Sequence, residues 1–231
     1  MLGYGTMGGK VTVYFSQKLP ADPRERYRAL AERGYAPLFT LYQEHGDNII
    51  RLRKPYVCPG FDALLAEQPR GDALITDQPG LYIGVKTADC VPLLLWDETA
   101  GVVAAVHAGW RGTALNIAGK AVHIMRDEFG ARDIRAAIGP CICKHCFVTR
   151  GDVPEAMPVL ARPYIERFAP GQYRVDLPEI NAALLREADA RDVIMPRSCT
   201  RCESETYWSH RRHGPARGLQ VSLIGLREAD A

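Results

Sequence analysis

"TADCVPLLLWDETAGVVAAVHAGWRGT", residues 87–113, holds two short apolar runs, 91–96 and 102–107, on either side of a turn-rich connection. Continuous apolar runs of this length, bounded by turn residues, read as strands buried on both faces. Trp96 and Gly101 bracket Asp-Glu-Thr-Ala, a four-residue loop of the kind that joins antiparallel strands. Pairing Trp96 with Gly101 sets Cys90 opposite His107. Directly opposed residues share a face with Cβ atoms about 4.5–5.5 Å apart, near enough for a sulfur and an imidazole nitrogen to meet on one ion. A slip by a single residue would send the two side chains to opposite faces.

Outward from this hairpin, residues 81–86 form a third run of the same kind, so three neighbouring strands of one buried sheet are expected. Further strands are expected at 11–16, 37–43, 134–138, 173–177, 193–195 and 219–226. A charged helix is expected over 22–33, with Gly34 placed to end it. Thr113 is placed to cap a second helix whose apolar Ala118, Ala121, Val122, Met125 and Phe129 keep i, i+3, i+4 spacing until Gly130. Residues 178–190 give another amphipathic helix, and 54–71 form the longest loop-like segment. Strands and helices mix without strict alternation, which points to an α+β fold with mixed sheets rather than a doubly wound parallel one. No repeat, low-complexity tract or linker divides the chain, so residues 1–231 are expected to form one domain.

Composition narrows the function. A chain of 231 residues, 47% hydrophobic, can bury one substantial core. Net charge is +2, with no basic stripe to follow a phosphate backbone, which argues against nucleic acid as a partner. No apolar run approaches the roughly 18 residues that span a bilayer. The opening "MLGYGTMGGKVTVYF" has no charged segment leading into an apolar one, so no membrane association and a cytoplasmic location are expected. Seven cysteines, an odd number in a chain too long to need staples, read as reduced thiols available for metal or for reaction.

Taken singly, Cys90 reads as a small buried apolar residue and His107 as a hydrogen-bonded one. Their joint placement at the open end of a hairpin, with His45 of "EHGDN" at the end of a third strand, points instead to a metal site. Two imidazoles and a thiolate suit zinc and leave a fourth position open, as a catalytic site requires. Downstream, Gly109 and Gly112 allow close backbone approach to a ligand, the following helix start favours an anion, and Arg111 adds charge. The plainer alternative has Trp110 packing, the glycines turning and Arg111 in solvent. Asp89, beside the cysteine, is a candidate proton carrier or a turn former. Two further C-x-x-C pairs, Cys143 with Cys146 and Cys199 with Cys202, are separated by about 50 residues. That is far more than the roughly 15–20 between the knuckles of a zinc ribbon, so no second zinc site is expected.

The motifs "QEHGDN", "GDALITDQPGLYIGVKTADCVPLLL", "AAVHAGWRGT", "AAIGPCI", "YRVDL" and "CTRCESETYWSHRRHGPARGLQVSLIGL" follow one another from about residue 42 to 226. In this order they resemble the motif series of the YfiH family, also called the laccase-domain or multicopper polyphenol oxidoreductase family. The resemblance implies a four-layer α/β/β/α sandwich and a zinc-dependent purine nucleoside phosphorylase acting on adenosine, inosine, guanosine and methylthioadenosine, with adenosine deaminase activity. It implies zinc ligands at His45, Cys90 and His107, and small-molecule partners, nucleosides and phosphate, with self-association left open. The phosphate contacts are expected from Arg111 and the backbone of residues 109–113, Gly109 and Gly112 included, or from Arg211 of "SHRRHG". Glu44 stands where the family usually has an apolar residue, and the N-terminal stretch is shorter, without the asparagine- and glycine-rich opening. Rival readings keep part of this set. One is a cysteine amide hydrolase with Cys90 as nucleophile and His107 as base, since the family's fold resembles that of a bacterial deamidating toxin. Others are an editing hydrolase of peptidoglycan precursors and a non-catalytic metal-binding module. A copper polyphenol oxidase is disfavoured because the chain has six histidines, two of them already in the zinc set, although copper can replace zinc at such a site in vitro.

Overall fold

The computed structural model describes residues 9–195 and 198–228, so the first eight residues of the atypical opening lie outside the described residues. The strands are β1 (Val11–Phe15), β2 (Leu38–Thr40), β3 (Ile49–Leu52), β4 (Ala73–Thr76), β5 (Tyr82–Thr87), β6 (Val91–Asp97), β7 (Val102–Ala108), β8 (Arg135–Ile138), β9 (Val148–Thr149), β10 (Ile165–Ala169), β11 (Gln172–Val175), β12 (Asp192–Ile194) and β13 (Gln220–Leu226). The helices are α1 (Pro23–Ala31), α2 (Phe61–Ala66), α3 (Trp110–Ala114), α4 (Ile117–Phe129), α5 (Asp152–Ala156), α6 (Leu177–Glu187) and α7 (His210–His213). A six-stranded sheet runs in the order β12-β8-β6-β7-β4-β3 and a four-stranded sheet in the order β1-β13-β5-β2. Both are mixed, because β12 with β8, β3 with β4 and β2 with β5 pair in parallel while the other neighbours are antiparallel. A small third sheet, β10-β11-β9, stands beside them.

The β6–β7 hairpin forms, two residues out of the expected register. Asp97 pairs with Val102 and Pro92 with His107, so the loop is residues 98–101. Asp97 causes the shift, because its Oδ1 accepts the N–H groups of Thr99 and Ala100, both at 2.9 Å, and this local turn draws it into the strand end. An even shift preserves faces. Val91, Leu93, Leu95, Val102, Ala104 and Val106 pack toward the helices, while Leu94, Trp96, Val103 and Ala105 pack between the sheets. By the same alternation Cys90 and His107 both belong to the inter-sheet face, as diagonal rather than direct neighbours. Each Leu-sized side chain removed from water stabilises by about 1.5–3 kcal/mol, so the fully buried β6 is a stiff support for the residues at its open end.

The layers follow from which faces are apolar. Helices α4 and α6 cover one face of the six-stranded sheet through Ala118, Ala121, Val122, Met125, Ile180 and Leu184. Its other face packs on Val11, Val13, Phe15, Ile83 and Val85 of the four-stranded sheet. The outer face of that sheet is covered by Leu30 and Tyr27 of α1, against Leu38, Val221 and Leu223. The result is the α/β/β/α sandwich.

Three local expectations are corrected. The 81–86 run becomes β5, but it lies in the four-stranded sheet, because a sharp turn with Asp89 at φ 95° carries the chain from one sheet to the other. Asn116, not Thr113, caps α4: it sits at φ 57° and accepts from the Gly119 N–H at 3.0 Å, while Thr113 lies buried inside the short α3. Gly130 closes α4 at φ 73°, as its placement suggests. The 54–71 segment is not all loop, since it contains α2, and it joins β3 and β4, whose short runs were not read as strands.

Candidate metal centre

His107 ends the apolar part of β7 only 2% exposed, and its surroundings explain why a strand carries an imidazole there. Its backbone N–H donates to the Asp72 carbonyl at 2.7 Å, and its Nδ1 lies 2.7 Å from Asp72 Oδ1. Asp72 stands just before β4, beside β7. With a carboxylate on Nδ1, that nitrogen carries the proton and Nε2 is left to face the cavity. The same carboxylate accepts the backbone N–H groups of Glu44, His45 and Gly46, at 3.2, 2.9 and 2.8 Å. One buried acid therefore orients the first imidazole and folds the loop that carries the second, where His45 takes the left-handed φ of 62°.

The two imidazole rings meet edge to face, centroids 4.9 Å apart. Donor atoms of His45, Cys90 and His107 all lie within 4.8 Å of one another. Gly109 closes the group from behind: a Cβ there would stand 3.2 Å from His45 Cδ2 and 3.3 Å from Cys90 Sγ. Burial would push the Cys90 thiol up, but the charge of His107 and hydrogen bonds from both imidazoles more than reverse this and hold it at about 6, from an ordinary 9.0. Burial would lower His107, yet the Cys90 thiolate and the Asp72 carboxylate raise it to about 9. Asp72 itself stays low despite burial, held by His107 and by the loop N–H groups. The thiolate is thus ready as a ligand, and a metal held here would take the place of a His107 proton. The donor set, with no side chain on Gly109 to fill the space, fits a borderline-soft divalent metal.

These donors stand on the wall of a cavity of about 790 Å³ between the open ends of the two sheets. Arg111 lines it, its guanidinium 4.4 Å from the Trp110 ring centroid. Arg211 lines it too, fixed by its N–H to Asp89 Oδ2 at 2.6 Å and by a guanidinium N–H to the Val148 carbonyl at 2.8 Å. Asp89 also accepts from the Thr200 hydroxyl at 2.7 Å, so each of its carboxylate oxygens already holds a donor and the residue pins three segments together. Gly112 does not line the cavity. A Cβ there would meet the Gly46 carbonyl at 2.9 Å, so its bareness lets α3 lie against the His45 loop. Glu44, the departure from the family pattern, forms an exposed ion pair with Arg70 at 2.6 Å.

Three residues of the cavity and its support were not singled out from the sequence. Asp72 lay inside a recognised motif, but only the β4–β7 pairing reveals what it holds. Arg217 lines the cavity with a buried Nε that has no partner among the described residues. Lys86, in the apolar 81–86 run, also faces the cavity, its amine lowered to about 8 by burial and by the charge of Arg26. A lysine inside a buried strand was the available signal.

The sequence profile of the family described as "Multi-copper polyphenol oxidoreductase laccase" matches residues 18–227. Purine nucleoside phosphorylase YlmD of Geobacillus stearothermophilus is 35% identical over 195 residues, which are 80% of this chain and 71% of that protein. Adenosine deaminase RL5, from an unknown prokaryotic organism, is 41% identical over 150 residues, 62% of this chain and 57% of that protein. The crystal structure of the Geobacillus YlmD superposes with a TM-score of 0.83 at 28% identity, covering 94% of this chain and 92% of that one. With the profile spanning nearly the whole chain and the architecture shared, the protein belongs to the multi-copper polyphenol oxidoreductase laccase family, the laccase-domain or YfiH family that its motifs resemble.

Proposed function

We propose that this enzyme is a purine nucleoside phosphorylase that holds zinc on His45, Cys90 and His107, and that the same site deaminates adenosine in the cytoplasm. One observation carries the proposal: three donors from three separate segments converge on one point of a cavity wall, with the remaining side open to a space large enough for a nucleoside and phosphate. The relatives named as purine nucleoside phosphorylase and as adenosine deaminase support the same reading.

Phosphorolysis forms a bond from a phosphate oxygen to ribose C1′ as the bond from C1′ to the purine nitrogen breaks. Zinc held by His45, Cys90 and His107 would supply Lewis acidity to this reaction. Arg111, backed by the Trp110 ring, and Arg217, whose buried Nε has no acceptor among the described residues, supply positive charge and donors for the phosphate. Arg211 has its N–H and one guanidinium arm committed to the protein, so it shapes the wall and offers the remaining arm. Trp110 and Phe147 present aromatic surface to the purine. Asp72 fixes the His107 tautomer. Asp89 we assign to positioning rather than proton carriage, because both oxygens are engaged. The two donor groups found among the described residues contain two histidines between them, which argues against a multicopper oxidase centre.

A cysteine hydrolase remains as the second reading because Cys90, His107 and Asp72 also form a nucleophile, base and orienter in sequence. The deciding experiment incubates the zinc-loaded protein with adenosine, inosine and methylthioadenosine, with and without phosphate, and identifies products by chromatography. Ribose 1-phosphate should appear only with phosphate, and inosine should form from adenosine without it. Chelation and Cys90→Ala should each abolish both reactions. Full phosphorolysis by Cys90→Ala refutes the assignment, and turnover untouched by chelator favours the thiol enzyme.

A further inference from the structure

We infer that the chain carries a second metal site, a structural zinc held by Cys143, Cys146, Cys199 and Cys202. The four sulfurs lie within 4.8 Å of one another, with Cys146 Sγ and Cys202 Sγ at 3.4 Å. Zn–S bonds of roughly 2.3 Å in a tetrahedron place sulfurs about 3.8 Å apart, within the range seen here. The spacing rule that argued against this site applies to ribbons whose knuckles are close in sequence. Here the chain travels through α5, β10, β11, α6 and β12 and returns, so that Cys141 and Cys199 form a parallel bridge and the knuckles face each other.

Local geometry is that of metal knuckles. The N–H groups of Cys146 and Phe147 both donate to the Cys143 carbonyl, at 3.0 and 2.9 Å, closing the first turn. The Cys143 N–H donates across to Cys199 Sγ at 3.3 Å, a bond that stabilises a thiolate. The Arg201 guanidinium stands beside the Cys146 sulfur, which holds its pKa up and sets a cation against the excess negative charge that four thiolates bring. Ile142 and Phe147 shield the group, leaving Cys146 and Cys199 buried and Cys202 exposed. All four sulfurs crowd together rather than forming two separate pairs, which favours one shared ion over two disulfides.

The site braces the cavity. Its first knuckle leads directly into Phe147, Val148 and Arg150 of the wall. Ile142, immediately before that knuckle, donates its N–H to the Asp89 carbonyl at 2.9 Å, and Thr200, within the second, donates its hydroxyl to the Asp89 carboxylate. The residue before Cys90 is thus gripped by the segments of both knuckles. The second zinc stands whether or not the cavity phosphorolyses nucleosides.

The test uses the full chain, purified anaerobically with zinc. Elemental analysis should give two zinc ions per chain, one in Cys90→Ala, one in the double variant Cys146→Ser with Cys202→Ser, and none in the triple variant. X-ray absorption on Cys90→Ala should report four sulfurs per zinc, against about 2.5 in the wild type. Should the double variant fail to fold, mercurial titration of the wild type keeps the question open to decision: a second equivalent of zinc should leave as the four thiols react. A folded Cys90→Ala protein without zinc, iron in place of zinc, or a Cys146–Cys202 disulfide in the anaerobic protein each overturns the inference.

Discussion

Replacing Gly109 with alanine separates metal geometry from folding. Gly109 has φ −68° and ψ 172°, a backbone any residue adopts, so alanine brings no backbone strain. Its methyl, however, would stand 3.2 Å from His45 Cδ2, 3.3 Å from Cys90 Sγ and 3.9 Å from His107 Cε1. Ordinary carbon contacts are about 3.5–4.0 Å, so two of the three donor side chains must retreat by a few tenths of an ångström. Metal–ligand distances tolerate only about 0.2 Å. A displacement of that size should weaken zinc by about 10–100-fold, as loss of a ligand-orienting contact does, or about 1.4–2.7 kcal/mol. The metal-free fold should respond in the other direction. Alanine at a compatible glycine position stabilises by about 0.4–1 kcal/mol, worth about 1–4 °C in a chain of this size, before the contacts subtract from it. A competition titration against a chromophoric chelator reads the affinity, and melting of the chelator-stripped protein reads the fold. Unchanged zinc affinity refutes the reasoning, and so does a metal-free protein that melts many degrees lower, because then the fold and not the ligand spacing has been damaged.

Asp72→Asn should weaken zinc 10–100-fold and destabilise the metal-free protein by about 2–3 kcal/mol in chemical denaturation, since the loop N–H groups of Glu44, His45 and Gly46 lose a charged acceptor. Arg111→Ala should raise KM for phosphate at least about tenfold while changing kcat less and leaving metal content intact; an unaltered phosphate KM would move the anion site elsewhere. Asp97→Asn should cost about 2–3 kcal/mol at neutral pH, because the buried carboxylate accepts four backbone N–H groups, from Thr99, Ala100, Arg132 and Asp133. Burial opposes ionisation of Asp97, but those N–H groups hold it below the ordinary 3.8, so its contribution is complete above that value and lost as pH falls through the lower folded one. The gap between wild type and Asp97→Asn should therefore stay constant near neutrality and close only in acid below about 3.8; a gap that widens in acid contradicts the assigned sign.

What was legible in the sequence was local. The β6–β7 hairpin, the C-terminal glycine of α4 and the buried character of both strands follow from periodicity and turn chemistry within about 20 residues. The convergence of Cys90 and His107 was legible because strand side chains alternate with period two, so a register wrong by two residues still puts both on the inter-sheet face. Long-range partners were not legible. Asp72 acquires its role only when β4 pairs with β7, and β4 itself is three apolar residues and a threonine that could belong to any buried segment. Assignment of β5 to the wrong sheet has the same root: a chain that changes sheets leaves no periodic mark, only a turn.

That turn is where the remaining structure concentrates. Asp89 takes a φ of 95°, which costs a non-glycine residue of order 1–3 kcal/mol unless its surroundings fix it. Four bonds do so: Ile142 N–H to its carbonyl, the Thr200 hydroxyl and the Arg211 N–H to its carboxylate, and the strand pairing that begins at Val91. The first two come from the segments that carry the four clustered cysteines, and the third from the cavity wall. The residue that lifts the chain from one sheet to the other is thereby the one that sets where Cys90 Sγ points. Strain at the turn, thiol clustering behind it and ligand spacing in front of it form one mechanical unit. A change confined to the cysteine knuckles should then be felt at Cys90 Sγ, although no knuckle residue belongs to that donor set.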